Sequence, residues 1–500
     1  MGIPSYFSYI IRTYSNIIRK ECGRVQLLLM DCNSIVYDAY RDIQEEYNKK
    51  PFDLATLEKR LIETTIHRIC DYILTISPDK LAYITFDGVA PLAKMEQQRT
   101  RRHKTAFYGS TTDIWNTANI TPGTGFMQKL SASVNHFFSK PHDRLKHLSC
   151  RILTSCSDEP GEGEHKLFKY LRDNDCKNDV VTVYGLDADL IMLSIFHAQY
   201  TKEIYVFREA PNFKTVLSGE YQSGQSLFMD IHGLFNSIFK EMGNYDPNYK
   251  QLRVHDYIFM CFLLGNDFLP HFPSLNIRVH GIQILMDTYN QTIGKYNDRS
   301  FIDPITKNIS WNHVKTFIKA LASNEHQYIK KESLDRDKWD NRRWSTSTPN
   351  DIEQILLNVP MIYRADEKYI CPKENGWEAR YYKRLLNIQP TTSNIEDVCI
   401  NYLQGLEWVY KYYTSGCASW KWKYNGHYPP LLVDLVKYIP NGKHDFIIND
   451  DSSPVSPEEQ LKYVMPSGNI QDVVFNWAYK RYNWESEICI HNSNYLNGSK

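Results

Sequence analysis

Three short apolar runs in this chain each lead into a carboxylate. Val25 to Met30 ends at Asp31, and Leu81 to Phe86 ends at Asp87. Val180 to Tyr184 leads through Gly185 and Leu186 to Asp187 and Asp189. Brief apolar runs bounded by Gly and Asp read as buried strands. Helical patterns lie between them, for example Leu54 to Ile76. Strands alternating with helices predict a mostly parallel sheet with helices on both faces, an α/β fold. Ligands of such sheets bind beyond the carboxyl ends of the strands, where these acids fall.

The chain of 500 residues is too long for one small core and predicts two or three domains. We expect the sheet domain over 1–295, a linker or irregular helical insertion over 296–350, a second compact region over 351–490 and a tail over 491–500. The stretch from Trp344 to Asn350 reads as loop, and so does the Asp-, Ser- and Pro-rich segment from Pro440 to Pro457. With 42% hydrophobic residues, global disorder is excluded. Lys+Arg and Asp+Glu both number 58, which excludes a tail-driven polyanion binder but not a local basic site. The 11 cysteines are scattered without any CxxC, against zinc fingers and a disulfide framework and in favour of a reducing compartment. No apolar run approaches the roughly 18 residues of a membrane span. The longest, Tyr257 to Leu264, reads as a buried helix. The N-terminus lacks the charged and apolar regions of a signal peptide, and Tyr6 breaks the myristoylation pattern. The expectation is a soluble intracellular protein.

The chemistry-bearing acids are Asp31, Asp87, Glu162, Glu164, Asp187, Asp189 and Asp267. Glu162 and Glu164 sit in the glycine-bearing turn Glu159 to His165, before the helical pattern Lys166 to Arg172. Asp267 follows Gly265-Asn266 at the end of the apolar helix. One Asp at a strand end is ordinarily a helix cap or turn former. Five separate segments carrying acids to one edge weaken that reading. If the loops converge, their like charges repel unless cations relieve them. An all-oxygen ligand set suits Mg²⁺ or Mn²⁺. Two such ions can activate water and stabilise the leaving oxygen of a phosphodiester.

Lys94, Gln98, Arg101 and Arg102 fall at i, i+4, i+7 and i+8 behind Pro91, on one helical face. That face is either a phosphate grip or a solvated basic surface; its start just past an acidic strand end favours the grip. From Gly416 to Pro430, aromatics alternate with lysines, and Trp420 and Trp422 could stack on bases or pack a domain contact. His165, His271 and His427 lack partners at metal spacing and read as structural. There is no P-loop and no serine nucleophile elbow.

Taken in order, these segments resemble the XRN family of 5′→3′ exoribonucleases. The resemblance opens at Met1-Gly-Ile-Pro-Ser-Tyr-Phe7 and Met30-Asp-Cys-Asn33, then takes in Phe86 to Pro91 and Ala93 to Arg102. It continues through Pro160-Gly-Glu-Gly-Glu-His-Lys166, Gly185 to Leu190 and Leu264-Gly-Asn-Asp-Phe-Leu-Pro270. Past residue 290 it thins to Gly376-Trp377, Arg380 to Lys383, Gly405 to Trp408 and 416–430, with a weaker echo over Glu458 to Pro466. The resemblance implies a PIN/5′-nuclease-like catalytic core with a second, largely helical, aromatic-rich region. It implies that the seven acids hold two Mg²⁺ ions, with Mn²⁺ a substitute, and that Lys94, Gln98, Arg101 and Arg102 bind a 5′-monophosphate. It implies an aromatic clamp on the leading bases. Tyr37 stands where the family has His, and Trp422 is preferred over Trp420 as its partner. Ser34 replaces the family's usual Gly. The chain is shorter than many cytoplasmic members and resembles a minimal one.

The expected activity is processive 5′→3′ degradation of single-stranded RNA with a 5′-monophosphate to mononucleotides. The expected setting is the cytoplasm, with nuclear residence as the alternative, and decapping machinery as the partner that the resemblance suggests. Two rivals remain: a flap-type, structure-specific 5′ nuclease on DNA, and an RNA-binding scaffold without turnover.

Overall fold

The computed structural model describes residues 3 and 5–465, except 109–114, 141–142, 186, 210–224, 244–245, 278–279, 339, 341–342, 344, 346, 349–363, 448–449 and 451. The expected tail at 491–500, the end of the second region from 466, and parts of the 344–350 loop therefore lie outside the described residues.

A seven-stranded sheet organises the first half, in the order β1-β7-β6-β5-β2-β3-β4. Its strands are β1 (Ile18–Arg19), β2 (Leu27–Asp31), β3 (Leu81–Thr85), β4 (Arg151–Ser155), β5 (Val180–Tyr184), β6 (Glu203–Glu209) and β7 (Ser226–Asp230). β6, β5, β2, β3 and β4 run parallel; β7 runs antiparallel to β6, and the short β1 pairs antiparallel with β7 at the sheet's edge. The three apolar runs supply β2, β3 and β5, three strands side by side, so their acids emerge along one edge.

Each strand alternates between two apolar layers, as period-2 side chains require. Leu27, Leu29, Val181 and Val183 join one buried cluster; Leu28, Met30, Ala82 and Ile84 join another on the opposite face. Helices α1 (Tyr6–Thr13), α2 (Asn33–Lys49), α3 (Leu54–Ile76), α4 (Leu92–Tyr108), α5 (Gly125–Phe138), α6 (Gly163–Asp173), α7 (Ala188–His197), α8 (Ile231–Glu241) and α9 (Lys250–Cys261) accompany the sheet. α3 spans the stretch expected from its periodicity, and Asp53 caps it by accepting from Thr56 N. α9 and the short 3₁₀ turn Phe262–Leu264 form the buried helix read from the long apolar run.

Beyond α10 (Gly281–Tyr289), the 296–350 stretch carries α11 (Trp311–Ala322) and α12 (Glu325–Asp337). Trp311, Phe317 and Ile318 of α11 belong to the same apolar cluster as α9. The second region is helical: α13 (Ala365–Ile370), α14 (Trp377–Tyr381), α15 (Thr392–Thr414), α16 (Leu432–Tyr438) and α17 (Pro457–Val464). α15 buries Tyr402, Leu406, Trp408, Val409, Tyr412 and Tyr413 in the sheet domain's own core. Among the described residues the cysteines are free, and no helix is long and apolar enough to cross a membrane.

Candidate active site

The acids converge where β2, β3 and β5 end. Asp31 closes β2, Asp87 lies two residues past β3, Glu162 and Asp187 occupy the N-cap positions of α6 and α7, and Glu164 and Asp189 stand in the first turns of those helices. Asp267 arrives from the loop after α9. The ordinary role of an acid at a helix start is to accept from the first free N–H groups. Neither Glu162 nor Asp187 does so with its side chain, whereas Asp53 and Asp230 cap their helices. Glu162, Glu164 and Asp189 are buried, and Asp267 is half-buried with its side chain only 4% exposed.

Tight local packing fixes this geometry. Asp87 Oδ1 accepts from Gly163 N at 2.8 Å, and Asp87 Oδ2 accepts from Asn33 Nδ2. A Cβ at Gly163 would lie 2.7 Å from Asp31 Oδ1 and 3.2 Å from Thr85 Oγ1, so only glycine lets α6 start this close to β2. Lys166 Nζ donates to Phe86 O at 2.9 Å and to Cys156 O at 2.8 Å, tying the ends of β3 and β4 together.

The electrostatics are those of crowded carboxylates. Loss of solvent, then the charges of Asp87 and Asp187, push the Asp31 carboxyl well above the usual range. Burial raises Glu162, Glu164 and Asp189 as well, with neighbouring acids adding to the effect. Lys94 lies among them: its Nζ pairs with Glu162 Oε2, sits 2.8 Å from Asp267 Oδ2 and 3.9 Å from Glu164 Oε1. The ammonium holds Asp267 below the ordinary carboxylate value despite burial. One lysine among this many acids leaves net negative charge, and Asp31 Oδ1 is enclosed without a hydrogen-bond donor among the described residues. An all-oxygen donor set with an undonated buried oxygen fits a hard divalent cation. Glu162, Glu164 and His165 bring ligand atoms within 4.8 Å of one another.

The basic helix is α4. Gln98 and Arg102 are buried and Arg101 half-buried. Arg102 donates to Thr121 Oγ1 at 2.6 Å and Ile120 O at 2.8 Å, and lies against the Tyr37 hydroxyl. Arg101 Nε is enclosed without an acceptor among the described residues. Lys94, on the same helix, turns its ammonium to Glu162, Glu164 and Asp267. The side chains beyond Arg102 on this helix lie outside the described residues.

The two tryptophans part company. Trp422 stacks on Trp408 at 5.3 Å and packs over Gly405, where a Cβ would meet its ring at 2.9 Å. Trp420 O accepts from Leu92 N at 2.9 Å, so its backbone serves the start of α4 and its side chain stays half-buried. Lys423 Nζ adds a 2.5 Å bond to Glu96 of α4.

Sequence reasoning missed two residues. Tyr412 OH donates to Glu162 Oε1 and Tyr413 OH donates to Asp189 Oδ1, each at 2.7 Å. Both phenols are buried and pushed well above their usual pKa, by loss of solvent and then by the acids they face, so they remain donors. His165 stacks on Tyr412 at 3.7 Å and burial keeps its imidazole neutral. The tyrosine pair was visible in the sequence, but inside an apolar helical pattern it reads as core.

Comparison with known proteins gives a consistent result. Exoribonuclease 1 of Saccharomyces cerevisiae is 25% identical over 93% of this chain and 39% of its own length. Exoribonuclease 2 homolog of Drosophila melanogaster is 25% identical over 98% of this chain and 66% of its length, and human exoribonuclease 1 is 25% identical over 94% and 31%. The chain thus spans between about a third and two thirds of these relatives. Among solved structures, the catalytic core of Rad2 in complex with DNA substrate matches at a TM-score of 0.34 and 17% identity, over 65% of this chain and 81% of that one, too loosely to bear on function. Residues 1–210 match the XRN 5′-3′ exonuclease N-terminus and residues 249–370 and 365–490 match the Xrn1 helical domain, so that, with nearly the whole chain matched, this protein belongs to the XRN family.

Proposed function

We propose that the protein is a Mg²⁺-dependent, processive 5′→3′ exoribonuclease that removes mononucleotides from single-stranded RNA bearing a 5′-monophosphate. The observation that carries this reading is the meeting of acids from five separate segments at one sheet edge, directly beside the basic helix α4. Asp31, Asp87, Glu162, Glu164, Asp187, Asp189 and Asp267 would hold two Mg²⁺ ions, which supply an activated water and a charge sink for the leaving oxygen. Arg101 and Arg102 with Gln98 would grip the terminal phosphate, and Lys94 would sit between phosphate and acids. The separation between grip and acids then sets a step of one nucleotide. Tyr37, beside Arg102, supplies one stacking surface. Trp420 fits the other better than Trp422, whose ring is already packed on Trp408. On family resemblance, the same proposal places the protein in the cytoplasm beside the decapping machinery, with 1–295 as the catalytic unit and 351–490 as its support.

The test is degradation of one 3′-labelled RNA carrying 5′-monophosphate, 5′-triphosphate or 5′-hydroxyl, in Mg²⁺ or EDTA, beside an Asp187→Ala, Asp189→Ala double variant. The expected outcome is Mg²⁺-dependent loss of the monophosphate RNA only, abolished in the variant. Equal attack on all three ends overturns the phosphate grip, and binding without cleavage overturns the enzyme.

A further inference from the structure

The second region reaches into the acid cluster through adjacent residues of one helix. α15 presents Tyr412 to Glu162 and Tyr413 to Asp189, at identical donor distances of 2.7 Å, across more than 200 residues of chain. Consecutive helical residues point about 100° apart. One helix turn can therefore address the acids of α6 and α7 separately, and it does so where those two helices begin. Both contacts are closed to solvent, since Tyr412 and Tyr413 are 3% and 2% exposed. The packing around them leaves the rings little freedom: Tyr412 is sandwiched by Trp408 at 4.7 Å and His165 at 3.7 Å, and Tyr413 lies edge-on to Phe262 at 5.4 Å.

We propose that Tyr412 and Tyr413 are positioning residues for the acids that take divalent cations, so that the metal centre is completed by the second region. Resting on the function proposed above, this assigns them a specific task. Each phenol occupies one carboxylate oxygen and fixes the plane of the group. For Glu162 the other oxygen, Oε2, is thereby turned toward Lys94 and the interior of the cluster. A carboxylate that is free to rotate must lose that freedom when it binds a cation; one held by a phenol has lost it already. Donors of this kind behind the ligands typically change metal affinity by about 10–100-fold when removed.

The test is Mn²⁺ titration of the RNA-free protein, followed by calorimetry and by the electron paramagnetic signal of free Mn²⁺. It compares the parent with Tyr412→Phe, Tyr413→Phe, the double variant and Tyr410→Phe. Phenylalanine keeps each ring and deletes only the hydroxyl. Tyr410 lies on the same helix and is also buried, but its hydroxyl donates to Lys307 O at 3.0 Å, away from the acids, which makes it the structural control. We expect Mn²⁺ affinity to fall about 10-fold or more in each of the first two variants. It should fall further in the double variant and stay unchanged in Tyr410→Phe, all with parental circular dichroism. With RNA, the metal concentration giving half-maximal rate should rise in the same order while KM for RNA stays put. Parental Mn²⁺ affinity in the folded Phe variants overturns the inference, as does an equal loss in Tyr410→Phe. A parent that binds no divalent cation at all overturns the proposed function instead.

Discussion

At the scale of single residues, Lys94 decides how the site tolerates its charge. Its ammonium is the shared partner of Glu162, Glu164 and Asp267, with a side chain 12% exposed. Removing one partner of a buried ion pair leaves the other charge stranded, at a cost of about 3–5 kcal/mol. Lys94→Met should therefore lower stability in EDTA by about that much, read by urea unfolding. Saturating Mg²⁺ should return most of the loss, since a cation then replaces the ammonium. Equal losses with and without Mg²⁺ would mean that the acids do not take metal. Gly163 makes a complementary point from the steric side. With a Cβ 2.7 Å from Asp31 Oδ1, Gly163→Ala must displace either the acid or the start of α6. The spacing of Lys94, Gln98, Arg101 and Arg102 told which residues share a helix face. It could not tell that the first of them would turn into the acids, because that depends on what α4 packs against.

At the scale of elements, helices are joined by buried acids that have nothing to do with the cleft. Glu325, at the start of α12, accepts from Leu432 N at 2.8 Å and Val433 N at 3.1 Å, serving as a cap for α16 from a distant part of the chain. Burial pushes its carboxyl up to about 8 from an ordinary 4.5, the two N–H donors only partly offsetting that. A raised folded-state pKa means that the native protein holds the proton longer than the unfolded chain does. Its contribution is fully present below pH 4.5 and is lost as pH rises toward 8, with a slope of up to about 1.4 kcal/mol per pH unit. Glu325→Gln carries no such proton. The stability gap between variant and parent, measured by urea unfolding at pH 5, 6.5 and 8, should move steadily in the variant's favour. A gap independent of pH would show that Glu325 titrates normally. α17 illustrates the other kind of junction. Gln460 Oε1 accepts from Ala90 N at 2.8 Å just before α4, and Val464 packs on Val89 and Met95. Gln460→Leu leaves that N–H unpaired, so about 1–3 kcal/mol of stability should go in urea unfolding, and the proposed 5′-monophosphate preference should weaken as α4 loosens.

At the scale of the whole molecule, the sheet domain was legible because its signals are local. Val180 to Tyr184 and Leu54 to Ile76 each declare their period within a few residues, and the acids announce the strand ends. The second region was legible only as aromatic-rich, because its meaning lies in contacts across hundreds of residues. Nothing local distinguishes a Tyr413 that donates to Asp189 from one that fills a void. The consequence of those contacts is that α15 is shared property. Its Trp408 is fully buried in the cluster that also holds Leu29, Val183 and Ile258, donates through Nε1 to Ser419 O at 2.8 Å, and stacks on Tyr412 and Trp422. A core continuous from β2 to α15 cannot lose one part without exposing the other. Urea unfolding of the full chain should therefore give one transition, coincident by tryptophan fluorescence and far-ultraviolet circular dichroism. Trp408→Phe keeps an aromatic there but deletes the indole donor and leaves a cavity, so the shared midpoint should fall by an amount worth about 1–3 kcal/mol for both probes together. Because the smaller ring packs Tyr412 less tightly, Mn²⁺ affinity should drop in the same variant. Two separated transitions, with metal affinity following only the first, would instead make the second region an independent unit docked on a self-sufficient active site.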